Sequence, residues 1–212
     1  MSERKKQIEQ RFSTQIEVLS LINRVKAARD LLLATVSTVS IQQEIFKPGP
    51  EEWSIANVVE HLVLAEQGGI QRIWQAAIDL ERGKPVWSGP APHGGLSIEE
   101  VIELTWKVTS AGPISMRTEE KAPPSATPQG EGPFAYWRAS LEACQPVLER
   151  LGTVLAGLEL AQVIVPHVIS GPLDARQRLQ FLRWHLDHHR QQIEDIKACP
   201  GFPREKDESS SY

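Results

Sequence analysis

Apolar residues recur along this chain at the three-and-four spacing of one helix face, and Pro and Gly cut the recurrences into segments. From Ser2 to Phe46 there is neither Pro nor Gly, and Ile8, Phe12, Ile16, Leu19 and Ile22 form a helical stripe. One straight rod over that whole segment would be about 65 Å long at 1.5 Å per residue, too long for a small bundle. A break or an overhang is therefore expected, near residues 20–25, before Lys47-Pro48-Gly49-Pro50 closes the segment.

Ser54 has the side chain of a helix N-cap. Beyond it Ile55, Val58, Val59, Leu62, Glu66, Gly69, Ile70, Ile73, Trp74 and Ala77 trace a second helix to about Arg82. Val86 to Gly95 reads as a loop. Ser97 and Glu100 have the spacing of a capping box, opening a third helix through Val101, Leu104 and Val108 that Gly112-Pro113 ends. Residues 117–133, rich in Pro, read as a long surface loop. Trp137, Leu141, Cys144, Leu148, Leu151, Leu155 and Leu158 then give a bundle seam, in which Pro146 predicts a kink or a late start. Residues 161–173 look irregular, and no strand alternation is evident. Asp174 with Gln177 caps a last long helix to about Lys197, stopped by Pro200-Gly201. Long helices joined by Pro/Gly loops predict an all-α up-and-down bundle.

Composition narrows the function classes. The 212 residues suit one domain, and 23 basic against 27 acidic side chains leave a net charge of −4. That balance gives no overall field for holding phosphates, so no nucleic-acid partner is expected. The densest apolar run, Leu31 to Val36, falls far short of a membrane span. Cys144 and Cys199 are too few and too far apart for a zinc cluster or a disulfide framework. The opening Met-Ser-Glu-Arg-Lys-Lys leads into an amphipathic stretch rather than a signal core, so a cytoplasmic location is expected.

The histidines carry the candidate chemistry. Leu182, His185, His189, Ile193 and Ile196 follow steps of three, four, four and three, so they share one row that should face the core. His185 and His189 lie one turn apart and project side by side. Such a pair either chelates one metal ion, at nitrogen distances of about 2.1 Å, or is a pair of core histidines bonded to each other, to a carboxylate or to a carbonyl. His188 points away from that row and reads as solvent-facing. On the second helix His61 sits at the edge of the apolar stripe beside the small Ala65, as a third ligand or as a half-exposed surface residue. Three imidazoles would leave coordination positions open, as catalytic sites do. Glu66 is a candidate partner for an imidazole, a general base or a salt-bridge residue. Gln192 lies beside the ligand row. His167 is either near the pocket mouth or a loop histidine, and His93 reads as solvated. Trp53, Trp137 and Trp184 read as packing residues, and Cys144 as an inert small hydrophobe.

Glu51-Glu52-Trp53-Ser54 with Val59-Glu60-His61-Leu62, and later the run His185-Leu186-Asp187-His188-His189-Arg190-Gln191-Gln192-Ile193, resemble the two signature regions of the DinB/YfiT-like superfamily. Gly171-Pro172-Leu173-Asp174 and the proline-rich loop fit as well, and the resemblance spans roughly residues 20–198. It implies a four-helix bundle with up-down-down-up style connections and a three-histidine site for one divalent metal ion on His61, His185 and His189. Imidazole ligands suit Zn, Ni, Cu and Fe alike, and of these Zn or Ni is expected. The resemblance also implies an enzyme acting on a small-molecule substrate: a metal-dependent hydrolase, or a transferase using a low-molecular-weight thiol such as mycothiol, bacillithiol or glutathione. The alternatives are a non-catalytic, metal-stabilised bundle serving in stress response or as an interaction module, and a bundle with no metal. The division expected is an N-terminal helical extension at residues 1–20, the bundle at 21–199 and a disordered tail at 200–212. The extension departs from the family pattern and is a candidate dimerisation element, which makes a homodimer an expectation.

Overall fold

Helix is the dominant structure in the computed structural model, which describes residues 3–106 and 124–204. The elements are α1 (Glu3–Thr35), α2 (Ile41–Glu44), α3 (Ile55–Glu81), α4 (Ile98–Trp106), α5 (Phe134–Leu155), β1 (Ile164–His167), β2 (Gly171–Asp174) and α6 (Ala175–Lys197). Helices α1 and α3 each pack against both α5 and α6. Their shared core includes Val25 and Leu32 of α1, Val58 and Ile73 of α3, Leu148 and Leu151 of α5, and Leu179 and Ile193 of α6. A second cluster joins Ile98, Val101 and Trp106 of α4 to Leu173 and Phe181.

The predicted caps are present. The Ser54 hydroxyl accepts from Asn57 N and the Asn57 side chain accepts from Ser54 N. Asp174 and Gln177 make the same reciprocal pair at the start of α6. Ser97 and Glu100 do so at α4. Each pair satisfies backbone donors that the first helical turn leaves over.

Helix α1 lacks the break that was one of the two alternatives expected for it. It runs unbroken through residues 20–25, because nothing in Ser20-Leu21-Ile22-Asn23-Arg24-Val25 removes a backbone donor or favours a bend. It ends instead at Thr35, where the β-branched and hydroxyl residues Val36, Ser37, Thr38 and Val39 have poor helix propensity. Its buried row is Val18, Leu21, Val25, Ala28 and Leu32, joined by Ile22. The stripe predicted from its first half stays outside: Ile8, Phe12, Ile16 and Leu19 are 54–64% exposed.

Three further departures have local causes. Helix α5 runs through Pro146; that residue is exposed, so water can serve the carbonyl that proline leaves without a donor. Residues 161–173 hold the antiparallel hairpin β1–β2, with Ile164 opposite Asp174 and Pro166 opposite Pro172. Gly171 supplies a backbone at φ +71° after the turn. The chain beyond α6 is held as far as Pro203, since Phe202 packs edge-on against Phe46 at 5.4 Å and Gln43 Nε2 donates to Pro203 O. Residues 205–212 of the expected tail, and Val108, Gly112-Pro113 and residues 117–123 of the expected loop, lie outside the described residues.

One close approach fixes the seam of α1 and α5. A Cβ at Gly152 would run into Ile22 Cδ1, so Ile22 packs into space that the glycine leaves between the helices.

Candidate metal centre

Burial of one row on each of α3 and α6 brings three imidazoles together. His61, His185 and His189 are all buried, and their ligand nitrogens lie within 4.8 Å of one another. His61 Nε2 is 3.2 Å from His185 Nε2. His189 Nε2 is 3.0 Å from that same atom.

The outer nitrogens decide which faces are free. His61 Nδ1 lies 2.6 Å from the Ala126 carbonyl oxygen. A carbonyl only accepts, so Nδ1 holds the proton and Nε2 keeps a lone pair. His189 Nδ1 donates to Gln192 Oε1 at 2.7 Å, with the same consequence. His185 Nε2 therefore faces two lone pairs and has at most one proton to offer them. Hydrogen bonding within the triad is incomplete in every neutral tautomer, whereas one cation between the nitrogens would satisfy all three. The residues fit a divalent ion on this observation. Burial first, then neighbouring histidines, holds His185 and His189 well below the usual imidazole range. Burial lowers His61 to about 4 even though the Ala126 carbonyl opposes the shift. The rings are thus neutral near pH 7, as ligation requires.

Neighbours fix this geometry. Trp53 is buried with its ring 4.8 Å from that of His61 and 6.3 Å from that of His189. The Glu60 carboxylate accepts from Gln129 N at 2.8 Å and Gly130 N at 3.0 Å. It thereby ties down the chain just beyond Ala126, whose carbonyl orients His61. Phe181 stacks on His185 with centroids 5.3 Å apart.

A cavity of about 380 Å³ opens beside the triad, lined by His61 and His185 together with Trp53, Trp106, His167 and Phe181. His189 does not line the cavity and reaches the site through His185. Of the other sequence candidates, His167 reaches this cavity and Gln192 reaches His189. His167 Nδ1 accepts from Ser170 N at 3.1 Å, so its Nε2 carries the proton. Burial, reinforced by Arg178 and Arg72, lowers His167 to about 3. Glu66 is buried elsewhere, paired with Arg29 of α1. His93 is tied down rather than free, with Nε2 3.1 Å from Ser170 O. His188 is half-buried rather than solvent-facing, stacked at 4.9 Å on Trp184. Cys144 is buried in the core, and burial raises its thiol to about 12.

Roles for Glu60, Ala126, Arg72 and Arg178 were not legible in the sequence. Glu60 stands within the Val59-Glu60-His61-Leu62 signature without a role of its own, and Arg178 stands four residues before Leu182 in the histidine row. The others are brought in by tertiary contacts.

A helical frame with three buried imidazoles beside a cavity defines a candidate metal-binding protein. The sequence profile of the DinB superfamily, a metal-associated family, matches residues 24–193, and the chain belongs to that superfamily. No curated protein and no solved structure matches the chain. Among the described residues no helix is long and apolar enough to cross a membrane.

Proposed function

We propose that this protein is a divalent-metal-dependent enzyme acting on a small molecule, as a hydrolase or as a transferase that uses a low-molecular-weight thiol. The observation that carries the reading is the convergence of three neutral imidazole nitrogens on one point beside a cavity of about 380 Å³. His61, His185 and His189 are the ligands in this reading. Zn or Ni suits an all-imidazole set. A divalent ion there supplies Lewis acidity toward a water or a thiol. Gln192 and the Ala126 carbonyl hold two of the rings in the ligating tautomer. His167 lines the cavity and carries its proton on Nε2, which makes it the candidate hydrogen-bond donor to a bound substrate. Trp53 and Phe181 exclude water from the imidazoles. The open cavity favours this reading over a metal ion with a purely structural role, which would be sealed.

The four long helices α1, α3, α5 and α6 are read here as the bundle of the superfamily. A homodimer would cover the exposed row Ile8, Phe12, Ile16 and Leu19. Light scattering should then give twice the 23.7 kDa chain mass, reverting to the chain mass in Phe12→Glu; a wild-type protein at the chain mass removes the dimer.

The test of function is turnover by protein loaded with Zn or Ni. Thiol transfer to an electrophile and hydrolysis of ester and amide panels are assayed in parallel. Metal-dependent turnover on one panel, abolished by chelator and restored by metal, is the result expected. No metal-dependent turnover on either panel contradicts the reading.

A further inference from the structure

Arg178 stands in the cavity wall as a buried cation without a counter-charge. It is 2% exposed. Its Nε and Nη1 have no hydrogen-bond partner. No carboxylate pairs with it among the described residues, and the charge nearest to it in effect is another cation, Arg72. Burial and then Arg72 lower the guanidinium to about 10. The same fold treats another deeply buried arginine differently: Arg29 is paired with the Glu66 carboxylate and bonded to Gln145.

An unpaired buried charge is among the least favourable features a fold can carry. Among the described residues the Phe181 ring, 5.5 Å from the guanidinium carbon, offers compensation, and that contact is weaker than an ion pair. The backbone also makes room. Gly69 faces the guanidinium from α3, where an added Cβ would lie 3.5 Å from Arg178 Nη2 and 3.2 Å from Leu182. Glycine inside a helix is unfavourable, and this one widens the cavity at the cation. Arg178 and His185 are seven residues apart on α6, so they emerge on nearly the same face about 10 Å apart along the axis. Phe181 lies between them and touches both.

We propose that this cavity binds a small organic anion through one oxyanion group, a carboxylate or a phosphate, which docks on Arg178 with Arg72 as the second cation and directs the rest of the molecule toward His185. A guanidinium presents paired donors matched to such a group. The aromatic lining suits an apolar or aromatic body. The anion's role as substrate rests on the enzyme reading above; its binding needs only the cavity.

The experiment is calorimetric titration of metal-free full-length protein, at constant ionic strength, with benzoate, phenyl phosphate and the neutral benzamide. Wild type is compared with Arg178→Met and Arg178→Lys. At least one anion should bind wild type ten-fold or more tighter than benzamide, and the stronger of the two identifies the oxyanion. Arg178→Met should erase that preference and Arg178→Lys should keep part of it. Thermal unfolding without ligand should show Arg178→Met at or above the wild-type midpoint, because an unpaired buried charge has been removed. Equal binding of all three probes by wild type overturns the proposal. So does unchanged anion binding by Arg178→Met, or a midpoint for that variant well below wild type, which would assign Arg178 to structure. Metal content measured on the same preparations separates the two readings. Bound metal without anion preference removes only the anion site, and anion preference in a protein that takes up no metal removes only the metal centre.

Discussion

The pairing of Arg29 with Glu66 gives the sharpest stability prediction. Both side chains are at most 3% exposed. Glu66 Oε2 and Arg29 Nε have no hydrogen-bond partner, so the pair is incompletely satisfied. Burial raises the Glu66 carboxyl, opposed by the guanidinium beside it. Replacing Glu66 by Met leaves the guanidinium buried and unpaired, which costs about 3–5 kcal/mol. For a chain of this size that lowers the unfolding midpoint by roughly 6–20 °C. Arg29→Met should act similarly by stranding the carboxyl. The double substitution removes both groups and leaves apolar side chains of similar volume, so it should return to within about 1–2 kcal/mol of wild type or exceed it. A double-mutant cycle in urea measures the coupling. Metal content should stay the same in all three variants, because Glu66 does not line the cavity. A cost below about 1 kcal/mol for either single variant would refute the argument, as would strict additivity.

In the metal-free protein, stability should fall as pH drops below the unfolded-state value of 6.5. The unfolded chain binds protons there while His61, lowered to about 4, and His167, lowered to about 3, do not. Each contributes a loss of about 2 kcal/mol between pH 7 and pH 5, so urea unfolding that is flat over that range contradicts the burial of these rings as neutral groups. Glu60→Ala releases the chain beyond Ala126 and should weaken metal binding about ten-fold; an unchanged Kd for added Zn would show that His61 needs no such support. Gly152→Ala forces Ile22 aside and should cost about 1–3 kcal/mol, and Ile22→Val, which lacks the clashing methyl, should restore most of that loss. If Ile22→Val gives no rescue in a melting assay, the α1–α5 contact is not the cause.

How far the sequence reaches depends on whether an element is defined by its own residues. The caps at Ser54, Ser97 and Asp174 are local devices: Ser97 and Asp174 were legible with their partners three residues on, and Ser54 as a lone N-cap. The His185 and His189 row was legible because helix periodicity alone puts both on the core face. Helix α1 shows the limit. It carries two apolar rows, one with Ile8 and Phe12 and one with Val25 and Leu32, and spacing cannot say which row finds a partner. The hairpin escaped because strands of four residues, with Pro166 opposite Pro172, are too short for an alternation to register. Arg178 reads as a polar interruption of its helix until the cavity around it is seen. Glu60 holds a segment nearly seventy residues away, which no local pattern carries.

The central claim is that His61, His185 and His189 together hold one divalent ion. Its most direct test is the metal content of protein purified without chelator, and of protein re-equilibrated with Zn or Ni, compared with His61→Ala, His185→Ala and His189→Ala. About one ion per chain in wild type, lost in each variant while helical content is retained, is the predicted result. A wild-type protein that binds neither metal, or variants that keep full occupancy, would contradict it.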